Sequence, residues 1–206
     1  MANYKLNIKF RESDLDLIHQ AGERVILVKH TEGNADSQVA WVSFDPLMYN
    51  TIEWSNEFAV YASTSELQNS AKVNMMSDKM ADPKIVYSFE SGHFKNPVVS
   101  DTMGANTYAI VNNYEKKKAC TFGLAQQIVV NDEAFPNKPI NAILVPYGQS
   151  VKMTPIEKID VYLMADIETS TVVSKIMSPV LTVTYRDEEC KQTIEYNGDM
   201  GKFYLK

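Results

Sequence analysis

The stretch that decides the fold is Gln38-Val-Ala-Trp-Val-Ser-Phe44, broken by Asp45-Pro46 and followed by Thr51-Ile-Glu-Trp54 and Phe58-Ala-Val-Tyr61. Its residues are largely aromatic and β-branched, the types that fit a pleated, half-buried surface. None of them is chemically reactive. Trp41, Phe44, Trp54, Phe58 and Tyr61 therefore read as the centre of a sandwich core.

The same character extends to both sides. Residues 4–10 alternate with a period of two and predict a first strand. A short helix follows, with Ser13 as its cap, Asp14 and Asp16 in its first turn, Leu15, Leu17, Ile18 and Ala21 inside, and Gly22 just past its end. Residues 24–29 read as a buried strand and 31–37 as a polar loop. Residues 71–80 are in the least regular part of the chain and read as a strand followed by a loop, a short helix being the alternative. Residues 85–89 form a strand that the turn chemistry of 91–97 closes.

Further strands are expected at 107–111, 119–125, 127–130, 140–145, 150–153, 159–164, 171–177 and 179–185, with 131–139 as a loop. The last two, 191–196 and 202–205, flank Asn197-Gly198, a dipeptide suited to positive φ in a hairpin. Short strands at spacings of roughly 8 to 12 residues, without alternating helices, indicate an all-β chain. The expectation is a single antiparallel β-sandwich with one short N-terminal helix, forming one domain over residues 1–206, within the roughly 200 to 250 residues such domains reach.

The composition is that of a folding chain, with 45% hydrophobic and 22% charged residues. The net charge of -6 argues against nucleic acid, whose affinity comes largely from Lys and Arg displacing counterions. The run Lys116-Lys117-Lys118 reads as a solvated loop. The first residues carry no apolar signal-peptide core, which predicts cytoplasmic synthesis, with release by lysis or a non-classical route if the protein acts outside the cell. Cys120 and Cys190 read as free thiols, a disulfide between them being the alternative.

No catalytic constellation is recognisable. His19, His30 and His93 occur in unrelated settings without metal-ligand spacing. Gly-x-Ser-x-Gly and the phosphate-cradling glycine motifs are absent. Asp160 with Asp166, and Glu53 with Glu57, read as solvent-facing. The oxygen-rich clusters at 131–133, 187–189 and 197–199 could be calcium ligands but read more simply as turns. The expectation is no enzyme, no cofactor and no metal.

The candidate binding residues are the aromatics near turns and the methionines. Tyr and Trp join an apolar body to a polar edge, which suits sugar stacking and membrane headgroups. Tyr49, Phe94, Tyr185 and Tyr196 belong to this set, and Tyr114, Phe135 and Tyr147 are its best-placed members. Met75, Met76 and Met80 supply an adaptable apolar surface.

The sequence thus points to a binding protein for a cell-surface glycan or lipid, with a membrane-active cytolytic or insecticidal protein that oligomerises as its sharpest form. In outline, a short helix on a sandwich resembles the actinoporin-like cytolysins. No motif of that family is present and the acidic balance departs from its basic character, so no site residue carries over. The alternative is a self-assembling structural protein that builds filaments or inclusions through edge strands.

Overall fold

The computed structural model describes residues 3–33, 37–186 and 190–206. In chain order their elements are β1 (Asn3–Lys9), α1 (Glu12–Gln20), β2 (Glu23–Gly33), β3 (Ser37–Gln38), β4 (Val42–Phe44), β5 (Tyr49–Ser55), β6 (Phe58–Ser63), β7 (Met75–Ala81), β8 (Ile85–Glu90), β9 (His93–Val99), β10 (Tyr108–Asn112), β11 (Ala119–Val130), β12 (Glu133–Pro139), β13 (Asn141–Pro146), β14 (Ser150–Ala165), β15 (Leu181–Thr184), β16 (Lys191–Asn197) and β17 (Lys202–Leu205).

The strands form two sheets that make a sandwich-like all-β fold. The larger runs β17-β16-β1-β5-β11-β13-β3, with β12 and β6 also on β11 and β7 on β6. The smaller runs β4-β2-β14-β10-β8-β9, with β15 on β14. Among the described residues the pairings between strands are antiparallel except two, β1 with β16 and β8 with β10. β11 takes β6 along its first half and β5 near its end, so β5 and β6 lie end to end beside it.

Strand alternation drives the packing. Leu6 and Ile8 of β1, Ile52 and Trp54 of β5, and Ile194 of β16 point inward against Val25 and Leu27 of β2 and Ile159 and Val161 of β14. Trp41 and Trp54 are both buried and meet edge to face at 5.7 Å, an arrangement the ring quadrupoles favour. β6 is buried on both faces, because Ala59 and Tyr61 pack outward under Val73 and Val172. The segment after β14 thus covers part of the larger sheet, and Ile167 and Val173 cover Ile26 and Tyr162 on the smaller one.

Several local expectations change. The N-cap of α1 is Arg11, with no side-chain cap; Ser13 lies inside the helix, Leu17 is exposed, and Gly22 does take positive φ past the end. Residues 71–80 run in the opposite order, a loop and then β7, because β7 pairs with β6 only from Met75 onward. Residues 93–99 and 133–139 are strands, not turn and loop. Each follows a two-residue turn with positive φ, at Ser91-Gly92 and Asn131-Asp132, the conformation that suits a hairpin. Pro97 and Pro136 sit beside register irregularities, where a missing N–H costs no ladder bond.

Residues 119–130 and 150–165 are single strands, the latter with an irregularity between Pro155 and Ile159. β2 extends through Gly33, and residues 34–36 of the expected polar loop lie outside the described residues. Residues 171–177 bridge to Val39 and Lys72 without forming a strand. In the last hairpin Gly201, not Gly198, takes positive φ.

Candidate functional site

The outward face of β5, β1, β16 and β17 brings exposed tyrosines together with paired charges. The register sets Tyr49 opposite Lys9, Lys9 opposite Glu195, and Glu195 opposite Tyr204, one row across four strands. Adjacent strands lie about 4.8 Å apart, so the two tyrosines stand about 14 Å from each other. Tyr49 is 69% exposed and Tyr204 42%. These rings can stack on a flat ligand. Between them Lys206 Nζ lies 2.6 Å and Lys9 Nζ 4.0 Å from Glu195 Oε1. The Tyr204 hydroxyl donates to Glu195 Oε2 at 2.9 Å. Hydrogen bonds from Lys206 and then Tyr204 hold the Glu195 carboxyl below its ordinary range. With Arg11 and Asn197 this row lines a cleft of about 410 Å³.

Two residues along each strand, Thr51, Asn7 and Thr193 form a half-buried floor, where the Asn7 amide donates to Thr193 Oγ1 at 3.4 Å. Beyond it Lys5 pairs with Glu53 at 2.9 Å. There a second cleft, of about 540 Å³, reaches to Gln127 and Lys191. The face offers donors, acceptors and aromatic rings together, which is what fixes a polyhydroxylated ligand in place.

The buried ionisable groups have a different character. Lys29 is wholly out of solvent, 3.0 and 2.9 Å from the two carboxylate oxygens of Glu157. Its Nζ stands 5.4, 5.6 and 5.3 Å from the rings of Trp41, Trp54 and Phe58, within the range of cation–π attraction. Burial pushes the ammonium down to about 8, with the Glu157 charge and hydrogen bond pulling the other way. Such a lysine has nucleophilic character, but the rings and the carboxylate close it off. It joins the two sheets.

Asp160 is buried as well, contrary to the solvent-facing expectation. Burial raises its carboxyl, but the His30 ring, whose Nε2 lies 2.8 Å away, and a hydrogen bond from the Thr182 hydroxyl, at 2.6 Å, outweigh this and hold it below the ordinary value.

The six sequence-nominated residues fall in three places. Tyr114 is half-buried against Phe89, and Asn112 ties its turn to that of the exposed Tyr147, beside the solvated Lys116–Lys118 run. Phe135 is half-buried opposite Ile128, nine residues along β11 from Ala119, the residue opposite Pro146. That separation is about 30 Å. Met75, Met76 and Met80 lie on β7, with Met76 and Met80 exposed. Of the other turn aromatics only Tyr49 enters the row, while Phe94 and Tyr185 are buried.

Sequence reading missed Lys9, Glu195 and Tyr204. The alternation of Lys5, Asn7 and Lys9 marked an outward face, but no local signal sets β16 beside β1.

Among the described residues no group of three or more His, Cys, Asp or Glu side chains is placed to hold a metal ion, and no helix is long and apolar enough to cross a membrane. Residues 187–189 lie outside the described residues. Asn131 and Asn197 spend their side-chain oxygens on backbone N–H groups of Thr51 and Met200. Cys120 is a buried free thiol. No family model, curated protein or solved structure matches this chain.

Proposed function

We propose that this is a non-enzymatic carbohydrate-binding protein whose ligand lies on the outward face of β5, β1, β16 and β17. The observation that carries the reading is the row Tyr49–Lys9–Glu195–Tyr204, two exposed rings flanking an ion pair in one cross-strand line. A sugar ring presents apolar C–H faces to the tyrosines and hydroxyls to the ammonium and carboxylate, so both halves of its chemistry are matched.

Calorimetric titration with oligosaccharides tests this, using Tyr49→Ala and Tyr204→Ala. Binding should weaken at least ten-fold in each variant, with the melting temperature little changed. Undiminished binding in both would overturn the assignment. Dye release from vesicles without any sugar dependence would move the ligand to lipid.

A second reading, self-assembly, is favoured by β7. Among the described residues it pairs with a strand on one side alone, and it contains no proline and exposes Met76 and Met80. Such an edge pairs readily with another chain. Scattering that grows with protein concentration and vanishes in Met80→Lys would support it.

A further inference from the structure

The two clefts open on the same face. Lys9, in the first, and Lys5, in the second, are four residues apart on β1. That is about 13 Å at roughly 3.3 Å per residue. Between them the register places the half-buried Asn7, Thr51 and Thr193, none of them bulky. The clefts are therefore the ends of one trough that follows β1, with tyrosines at one end and polar groups along its length.

The charges on this face cancel. Lys5 faces Glu53, Lys9 and Lys206 share Glu195, and Arg11 lies against both Asp14 and Asp199. Lys191 and Glu57, the remaining two in the clefts, are of opposite sign. The clefts themselves are lined by five cations and three carboxylates, and Asp14 and Asp199, which stand against Arg11 outside the lining, bring the carboxylates to five. An anionic chain would find no net positive field here, whereas hydroxyl groups can accept from each ammonium and donate to each carboxylate.

We infer that the ligand is an extended, uncharged oligosaccharide or polysaccharide chain that lies along β1 and occupies both clefts at once. This rests on the carbohydrate reading above. A short sugar fills one cleft, and a longer one gains the second without a new loss of translational freedom.

The test is calorimetric titration of the intact protein with neutral β-linked oligosaccharides of two and six units, from the cello, xylo, laminari and chito series, and with an anionic galacturonate hexamer. For at least one neutral series the hexamer should bind at least ten-fold more tightly than the dimer. Lys5→Ala with Glu53→Ala should lower hexamer affinity about ten-fold, toward that of the dimer, with the melting temperature confirming the fold. Equal affinity for two and six units overturns the extended site while leaving the carbohydrate reading standing. Preference for the galacturonate hexamer overturns the uncharged assignment. Failure of every sugar to bind overturns the carbohydrate reading itself.

Discussion

The Nζ of Lys29 is held 2.9 Å from Oε2 of Glu157 inside the sandwich, and that same oxygen accepts a hydrogen bond from the Trp54 indole at 3.3 Å. Glu157 lies where residues 156–158 of β14 stand against one residue of β2, between the pairs Thr31–Pro155 and Lys29–Ile159. The irregularity in the strand provides the lysine's counter-charge.

Removing one partner of this pair should cost far more than removing both. Glu157→Ala leaves a buried ammonium uncompensated and should lower stability by about 3 to 5 kcal/mol. Lys29→Met with Glu157→Gln replaces the pair by groups of similar size and should recover most of the loss. Urea unfolding of the three proteins measures this, and a double variant no more stable than Glu157→Ala would refute the account.

The same lysine sets an alkaline stability profile. Folding lowers its ordinary value of 10.5 to about 8. Below pH 8 both states hold the proton and the cost of burying the charge is fully present. From pH 8 to 10 the unfolded chain binds the proton that the folded one has released, so stability rises. The whole gap corresponds to about 3 kcal/mol. Beyond pH 10 the gain is opposed, because burial raises Tyr61, Tyr162 and Tyr185 and the unfolded tyrosines ionise first. Unfolding curves at pH 7, 8, 9 and 10 should show the rise, and Lys29→Met should flatten it.

Two buried tyrosines should answer oppositely to loss of the hydroxyl. Tyr61 donates to the Asn141 carbonyl at 2.6 Å, so Tyr61→Phe should cost about 1 to 2 kcal/mol. The Tyr162 hydroxyl is buried with no hydrogen-bond partner among the described residues, so Tyr162→Phe should be neutral or stabilise by up to about 1 kcal/mol. A destabilised Tyr162→Phe protein would mean that the hydroxyl has found a bound water.

Gly123 marks a close approach in the larger sheet. An added Cβ would stand 2.6 Å from the Tyr61 ring and 2.8 Å from its hydroxyl, and would press on the Asn141 carbonyl. Gly123→Ala should destabilise by about 1 to 3 kcal/mol. A melting temperature within one degree of the parent protein would show that the Tyr61 ring can give way.

The fold was readable where alternation was undisturbed. Residues 4–10, 85–89 and 191–196 each contributed a strand, and Trp41 and Trp54 are buried in the core. Reading failed where proline and strand coincide. Pro97 and Pro136 belong to edge strands with irregular register, and a local view assigns such prolines to loops. The Lys29–Glu157 pair, 128 residues apart, and the Lys9–Glu195 pairing both depend on strand neighbours that no window of sequence contains. Tyr49 was visible as an aromatic ring near a turn. Its row was not.

The parallel pairing of β1 with β16 carries a consequence for timing. One side of the trough comes from residues 3–57 and the other from residues 190–206, with Gln127 and Val129 of β11 at one end, so the face does not exist until strands far apart in the chain have docked. Contacts of such sequence separation form slowly. A ligand spanning β5, β1 and β16 would bind only once these strands are paired and would hold distant segments of the chain together, so recognition depends on this part of the fold being complete. A single cut between β15 and β16 would loosen both.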